Sequence, residues 1–117
     1  MQLLLKSQKI QLHANDAATA YALEYDVEQP DHKPVVKFFN PNGAATWLIT
    51  EMDEDGRMFG LCDLGFGTPE LGYVMFQELA EFRGRFGLGI ERDMHFKASK
   101  TISEYAQEAR DSGRIAA

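Results

Sequence analysis

Ala45-Thr-Trp-Leu-Ile-Thr-Glu-Met-Asp-Glu-Asp-Gly-Arg-Met-Phe-Gly-Leu-Cys-Asp-Leu64 decides the fold. Two runs rich in β-formers, Ala45 to Met52 and Arg57 to Leu64, flank Asp53-Glu-Asp-Gly56, whose glycine takes the positive φ that a short hairpin loop requires. Alternation sets Trp47, Ile49 and Glu51 on one face and Leu48, Thr50 and Met52 on the other. Apolar groups on both faces mark a central strand pair, with one face expected under helices.

Upstream, Val35-Val-Lys-Phe-Phe39 reads as a strand stopped by Asn40-Pro-Asn-Gly43. Before it, Asp26 to Pro34 carries two prolines and reads as an extended connector. Ser7 to Tyr25 is alanine-rich and predicts a helix, with a break near Asn15-Asp16 and a narrow apolar stripe that implies weak packing. Downstream, Leu71 to Met75 predicts a strand that runs into a helix from Phe76 to Arg83, ended by Gly84. Ile90 to Lys97 alternates and predicts a last strand, with Ile90, Met94, Phe96 and the Arg92 stem inward. Thr101-Ile-Ser-Glu104 fits a capping box, Ile102, Tyr105, Ala106 and Ala109 form the apolar side of a final helix, and Gly113 stops it. Hairpins set between helices indicate α+β: one domain with a mostly antiparallel sheet of about five strands, packed by N-terminal, middle and C-terminal helices. Its parts are helical 1–26, a sheet-rich core 34–97 and a C-terminal helix 101–111.

The chain has 117 residues, 44% of them hydrophobic, and a formal charge of -6. That length supports one self-sufficient core. The acidic balance disfavours direct nucleic-acid binding, which draws on phosphate neutralisation by Lys and Arg, although Arg83, Arg85, Arg92, Lys97 and Lys100 leave room for a small basic face. Cys62 is the sole cysteine, so no internal disulfide and no thiolate-rich metal site can form. The opening Leu3-Leu4-Leu5 is too short for a signal peptide and no run is long enough to span a membrane, so cytoplasmic residence is expected.

Glu91, Asp93, His95 and Lys97 would share one side of the last strand at about 7 Å intervals, a row able to supply acid and base groups or metal ligands. A metal site needs ligands from a second element, with Glu51, Asp63 and Glu70 as the candidates, and the plainer reading is a solvated strand with charges paired along it. Gly65-Phe-Gly67 leads into Thr68-Pro69-Glu70 and Gly84-x-x-Gly87-x-Gly89 lacks a Lys-Ser or Lys-Thr pair, so neither fits a nucleotide loop. These glycines are expected to turn the backbone around Phe66 and Phe86, which plug the core. Cys62 beside His95 would make a nucleophile pair, but a cysteine inside an apolar strand reads as a small hydrophobe. His13 and His32 read as surface residues, and Glu51 to Asp55 as a charged hairpin tip.

Pro34-Val-Val-Lys-Phe-Phe39, Ala45-Thr-Trp-Leu-Ile-Thr-Glu51, Phe59-Gly-Leu-Cys-Asp-Leu-Gly65, Pro69-Glu-Leu-Gly-Tyr-Val74, Ile90-Glu-Arg-Asp-Met-His-Phe96 and Ile102-Ser-Glu-Tyr-Ala106 together resemble DUF2958, a family of bacterial proteins without an assigned activity. The resemblance runs from about Leu3 to Ile115. It implies an accessory role in the upkeep, transfer or defence of mobile genetic elements. Many relatives carry a serine-like cap before the middle helix, where Met75-Phe76 stands here, leaving Glu78 to serve the first turn.

The expected function is a non-catalytic binding or adaptor module whose partner is another protein, with Gly67, Glu70, Glu91, Arg92, Asp93 and His95 as its contact surface. No catalytic residue, metal or cofactor is assigned, and the oligomeric state is left open. The alternative is a small metal-dependent hydrolase acting on nucleic acid through Glu91, Asp93 and His95 with a carboxylate from the hairpin.

Overall fold

Five antiparallel strands form the sheet, in the order Glu70–Met75, Arg57–Asp63, Thr46–Met52, Val36–Phe39 and Glu91–Arg92. A computed structural model describes residues 2–117. The strands are β1 (Val36–Phe39), β2 (Thr46–Met52), β3 (Arg57–Asp63), β4 (Glu70–Met75) and β5 (Glu91–Arg92), and the helices α1 (Lys6–Glu24), α2 (Phe76–Glu81) and α3 (Ile102–Ser112). The fold is thus the expected single α+β domain, with the predicted hairpin as its central pair.

Helices cover both faces of the sheet, not one. Leu4, Leu12, Val36, Phe38, Trp47, Ile49, Met58 and Leu79 pack on the side of α1 and α2. Leu48, Leu61, Ile102, Tyr105, Ala106 and Ala109 pack on the side of α3. Both layers are needed because β2 and β3 carry apolar side chains on each face.

Strict alternation fails at Thr50. The β2–β3 register slips between Ile49 and Glu51, and this bulge turns Met52 to the face of Trp47 and Ile49. Gly60 lies opposite Ile49, where a Cβ would stand 2.0 Å from the Leu48 carbonyl oxygen, so only glycine fits.

α1 is continuous through Asn15-Asp16. β1 begins at Val36 opposite Ile49, so no β1 residue lies opposite the last residues of β2. α1 takes over there: the Asn15 side-chain amide donates to the Thr50 carbonyl (2.9 Å), and His13 Nδ1 lies 2.9 Å from the Met52 carbonyl. Asn15 is buried, with its Oδ1 accepting from Gln11, so it latches the helix to the strand end and does not break it. A stripe judged too narrow for firm packing is therefore supplemented by polar contacts. Asp26, at φ 52, adopts the left-handed conformation just past the helix.

The connector that follows is pinned to α3. The Asp31 carboxylate accepts from the backbone N–H and hydroxyl of Ser103, and the His32 carbonyl accepts from Ile102 N–H (2.7 Å). With Thr101 N–H donating to Glu104, as the capping box predicts, the N–H groups of Thr101, Ile102 and Ser103 at the start of α3 are satisfied. Gly113 closes the helix at φ 79.

The last strand is far shorter than Ile90 to Lys97. Asp93 accepts from His95 N–H (2.9 Å) in a turn, and the ladder to β1 contains only Glu91 and Arg92. Met94 consequently leaves the core and is 67% exposed. Arg92 is buried and donates to the Gln2 carbonyl, which ties the N-terminal segment to this edge.

Candidate functional site

The six contact residues expected from the sequence do not make one surface. Glu70 belongs to β4 and Glu91 and Arg92 to β5, at opposite edges of the sheet. Of the other carboxylates expected to meet the β5 group, Asp63 and Glu51 are engaged elsewhere. Asp63 is buried and accepts from Gly65 N–H (2.9 Å) and Ile115 N–H (3.0 Å), which holds the C-terminal tail to β3. Among the described residues no group of three or more His, Cys, Asp or Glu side chains is placed to share a metal ion.

Glu91, Asp93 and His95 do border a shallow concavity with Lys37 and Phe39. Its best-defined charge is Asp93. The hydrogen bond from His95 N–H, followed by the Lys37 ammonium at 3.4 Å, outweighs the effect of burial and holds the carboxyl below its usual range. A carboxylate so stabilised is an anchor for the turn and a poor proton acceptor near neutrality.

A second polar cluster escaped the sequence reading. The Thr19 hydroxyl donates to Glu51 Oε2 (2.9 Å) and lies 3.1 Å from His32 Nε2, with His32 and Glu51 3.8 Å apart. Glu51 is thus turned inward from the hairpin tip, and neither His13 nor His32 is a free surface residue. Burial, opposed by the Thr19 hydroxyl, pushes the Glu51 carboxyl up. Thr19, His32 and Glu51 come from α1, the connector and β2, so the cluster clamps three segments. None of the three lines the clefts described below.

The more open feature lies at the other end of the same sheet face. α1 covers the Thr50–Met52 end of β2, and α2 has only six residues, about 9 Å of helix. The Ala45 end of β2 and the Leu64 end of β3 are therefore incompletely roofed. A cleft of about 420 Å³ results, walled by Trp47, Cys62, Leu64, Val74, Leu79, Phe82 and Ile90, with Glu78 and Asn40 as polar members. A second cleft of about 300 Å³ continues from Cys62 and Leu64 past Phe66, Glu70 and Gly72 along β4. The charged residues lining the pair are Glu78 and Glu70, both acidic. Burial pushes the Cys62 thiol up to about 11, so at neutral pH it is an apolar wall and not a nucleophile.

Local backbone chemistry shapes the rim. Gly65 and Gly67 both take left-handed φ values, 90° and 83°, and lift Phe66 between them until it is 83% exposed. Phe86 is itself left-handed at φ 62 and 86% exposed. Neither phenylalanine plugs the core, contrary to the expectation from the glycine pattern. A non-glycine residue at positive φ costs about 1–2 kcal/mol, and here no buried contact of the ring offsets it. The Asn42 side chain donates to the Arg85 carbonyl (3.3 Å), which keeps this loop beside the Asn40–Gly43 turn at the cleft mouth.

Among the described residues β4 has β3 on one side and no strand on the other. Leu71 and Tyr73 on it are exposed, Phe59 and Arg57 packing against the Tyr73 ring (5.1 Å between centroids and 3.8 Å from the guanidinium). A Cβ added at Gly72 would meet nothing within 4 Å. Edge strands are commonly guarded by charge, proline or a covering loop. β4 has one terminal carboxylate, Glu70, and then Leu-Gly-Tyr-Val-Met.

Comparison with known proteins settles lineage and stops there. The family model described as "Protein of unknown function (DUF2958)" matches residues 3–116, and the chain belongs to that family. No curated protein and no solved structure matches it.

Proposed function

We propose that this DUF2958 protein is a non-catalytic binding module, cytoplasmic and accessory to a mobile genetic element, that receives an extended segment of a partner protein along β4 and in the adjoining cleft. One observation carries the reading: an unpaired, weakly guarded edge strand runs beside an apolar cleft whose charged lining residues are Glu70 and Glu78. Strand addition to such an edge draws affinity from main-chain hydrogen bonds and specificity from pockets that take alternate side chains. The lining chemistry selects the segment. Apolar side chains fit against Trp47, Leu79 and Phe82, and a Lys or Arg fits beside Glu70 or Glu78. The solvent-raised Phe66 and Phe86 supply rim contacts of the kind that dominate interfaces. Family resemblance supplies the mobile-element context, and an adaptor needs no reaction centre to serve it.

The hydrolase alternative gains no comparable support. Its carboxylates are separated by the sheet, and Asp93 is committed to Lys37 and the His95 backbone.

Panning a displayed random-peptide library against the protein tests the proposal, with Gly72→Lys as the comparison target. That side chain enters open space, so the fold is retained while the groove gains a cation. The expected result is enrichment of segments that alternate apolar residues around a Lys or Arg and are lost on Gly72→Lys. Segments that bind both proteins equally would overturn it.

A further inference from the structure

The outward face of α1 is unpartnered and self-complementary, and we propose that it pairs antiparallel with α1 of a second copy about a two-fold axis. Leu12, Asn15 and Ala22 are the buried residues of this helix and face the sheet. On the opposite side run Ile10, Ala14, Ala17 and Tyr21, spaced 4, 3 and 4 so that they form one stripe. All four are exposed, Ile10 by 62% and Tyr21 by 61%. Large apolar residues at both ends and alanines in the middle let two helices approach closely without leaving voids.

The register fixes the occupant as a copy of this chain. Positions 10 and 21 lie symmetrically about the stripe's midpoint, between Asn15 and Asp16 and half a residue past the centre of α1, as do 14 and 17. A two-fold axis through that midpoint therefore sets Ile10 level with the partner's Tyr21 and Ala14 level with the partner's Ala17, each contact occurring twice, as an isologous interface demands. Charge follows the same symmetry. Lys6 and Glu24 are 18 residues apart, five helical turns, and so lie on one side of the stripe. In the antiparallel pair Lys6 falls within about 1.5 Å along the axis of the partner's Glu24, and the partner's Lys6 faces Glu24 in return. A parallel pair would instead set each charge level with its own kind and leave Lys6 and Glu24 five turns apart, with no pairing between them. Tyr25, its ring tilted against that of Tyr21 with centroids 4.6 Å apart, extends the stripe toward the partner's Lys6.

A single helix pair buries less than about 1,200 Å², the range of weak, reversible interfaces, so association belongs at micromolar concentrations and above. Sedimentation velocity from about 1 μM to about 1 mM is the direct test. The wild type is expected to pass from monomer to dimer across that range. Ala17→Glu, which buries a charge against the partner's Ala14, removes the dimer. Lys6→Glu and Glu24→Lys each weaken it about tenfold by setting like charges opposite, and the double variant K6E/E24K restores it. All three positions are exposed, so unchanged circular dichroism and melting confirm that each variant folds. A wild type that stays monomeric throughout overturns the proposal. So does a dimer indifferent to Ala17→Glu, which would locate the contact on another surface, and so does loss in the single charge variants without recovery in the double, which would reject the antiparallel register.

Discussion

Replacing Asn15 by alanine isolates the latch between α1 and the bulged end of β2. Asn15 Nδ2 is 2.9 Å from the Thr50 carbonyl, and the contact is buried. Removing the donor leaves that oxygen without the side-chain partner, a loss of about 1–3 kcal/mol. The bond from Gln11 is lost as well, but it is partly exposed and contributes little. Alanine returns about 0.5 kcal/mol through its better helix propensity. The net expectation is a loss of about 0.5–2.5 kcal/mol, and at about 3–6 °C per kcal/mol for a chain of this size the melting midpoint falls by roughly 2–15 °C. Urea denaturation monitored by Trp47 emission gives the free energy. Hydrogen exchange gives its location: amides of α1 and the Thr50–Met52 segment should exchange faster while those of α3 stay protected. Gln11→Ala should leave the midpoint nearly unchanged. An Asn15→Ala protein as stable as the wild type, with α1 equally protected, would refute the latch.

Further expectations concern the bulge, the polar clamp and the cleft thiol. Gly60→Ala sets a Cβ 2.0 Å from the Leu48 oxygen and 2.8 Å from Ile49 Cα, so the β2–β3 backbone must shift; a loss of at least about 2 kcal/mol in urea denaturation is expected, and a neutral result would place the bulge wrongly. Glu51 has a raised folded-state pKa, so its contribution to stability is complete below its ordinary value of 4.5 and is lost as pH rises through the higher folded value. Glu51→Gln should therefore flatten that fall in denaturation series run across this window, and an unchanged slope would contradict the burial of the carboxyl. Asp31 and Asp93, both lowered, act in the opposite sense: their contributions are present above 3.8 and disappear as pH falls through their folded values. Cys62, raised from 9.0 to about 11, should alkylate about 100-fold more slowly at neutral pH than an ordinary thiol, and labelling at the rate of a free cysteine, read by mass spectrometry, would show that the thiol is solvated.

Elements whose determinants are local were legible in the sequence. The β2–β3 hairpin is written in the Asp53-to-Gly56 loop and its flanking β-formers, and α3 in Thr101, Glu104, its apolar stripe and Gly113. What escaped depends on pairings distant in the chain. Nothing near Thr50 announces a bulge, which shows only in the register of Ile49 and Glu51 against Gly60 and Phe59 across the ladder. Ile90 to Lys97 alternates like a strand, yet only two of its residues find β1 opposite, and the Asp93 side chain folds the rest into a turn. The glycines around Phe66 and Phe86 revealed sharp turns but not their direction, and both rings point into solvent. Glu70 was grouped with residues of β5 that belong to the far edge of the sheet, a matter of strand order that no single segment encodes. The cleft too was hidden, because α2 stops at Glu81, where Phe82 turns to extended backbone, short of the Arg83 end that Gly84 suggested.

Trp47 is the only tryptophan and it lines the cleft, so its emission reports occupancy directly. Titrating the protein with an extended peptide that alternates apolar residues around a central Arg should shift or quench that emission saturably, and Gly72→Lys should abolish the change while leaving the melting curve intact. A peptide that binds without altering Trp47, or that binds the Gly72→Lys protein as well as the wild type, would contradict the assignment of β4 and its cleft as the contact site.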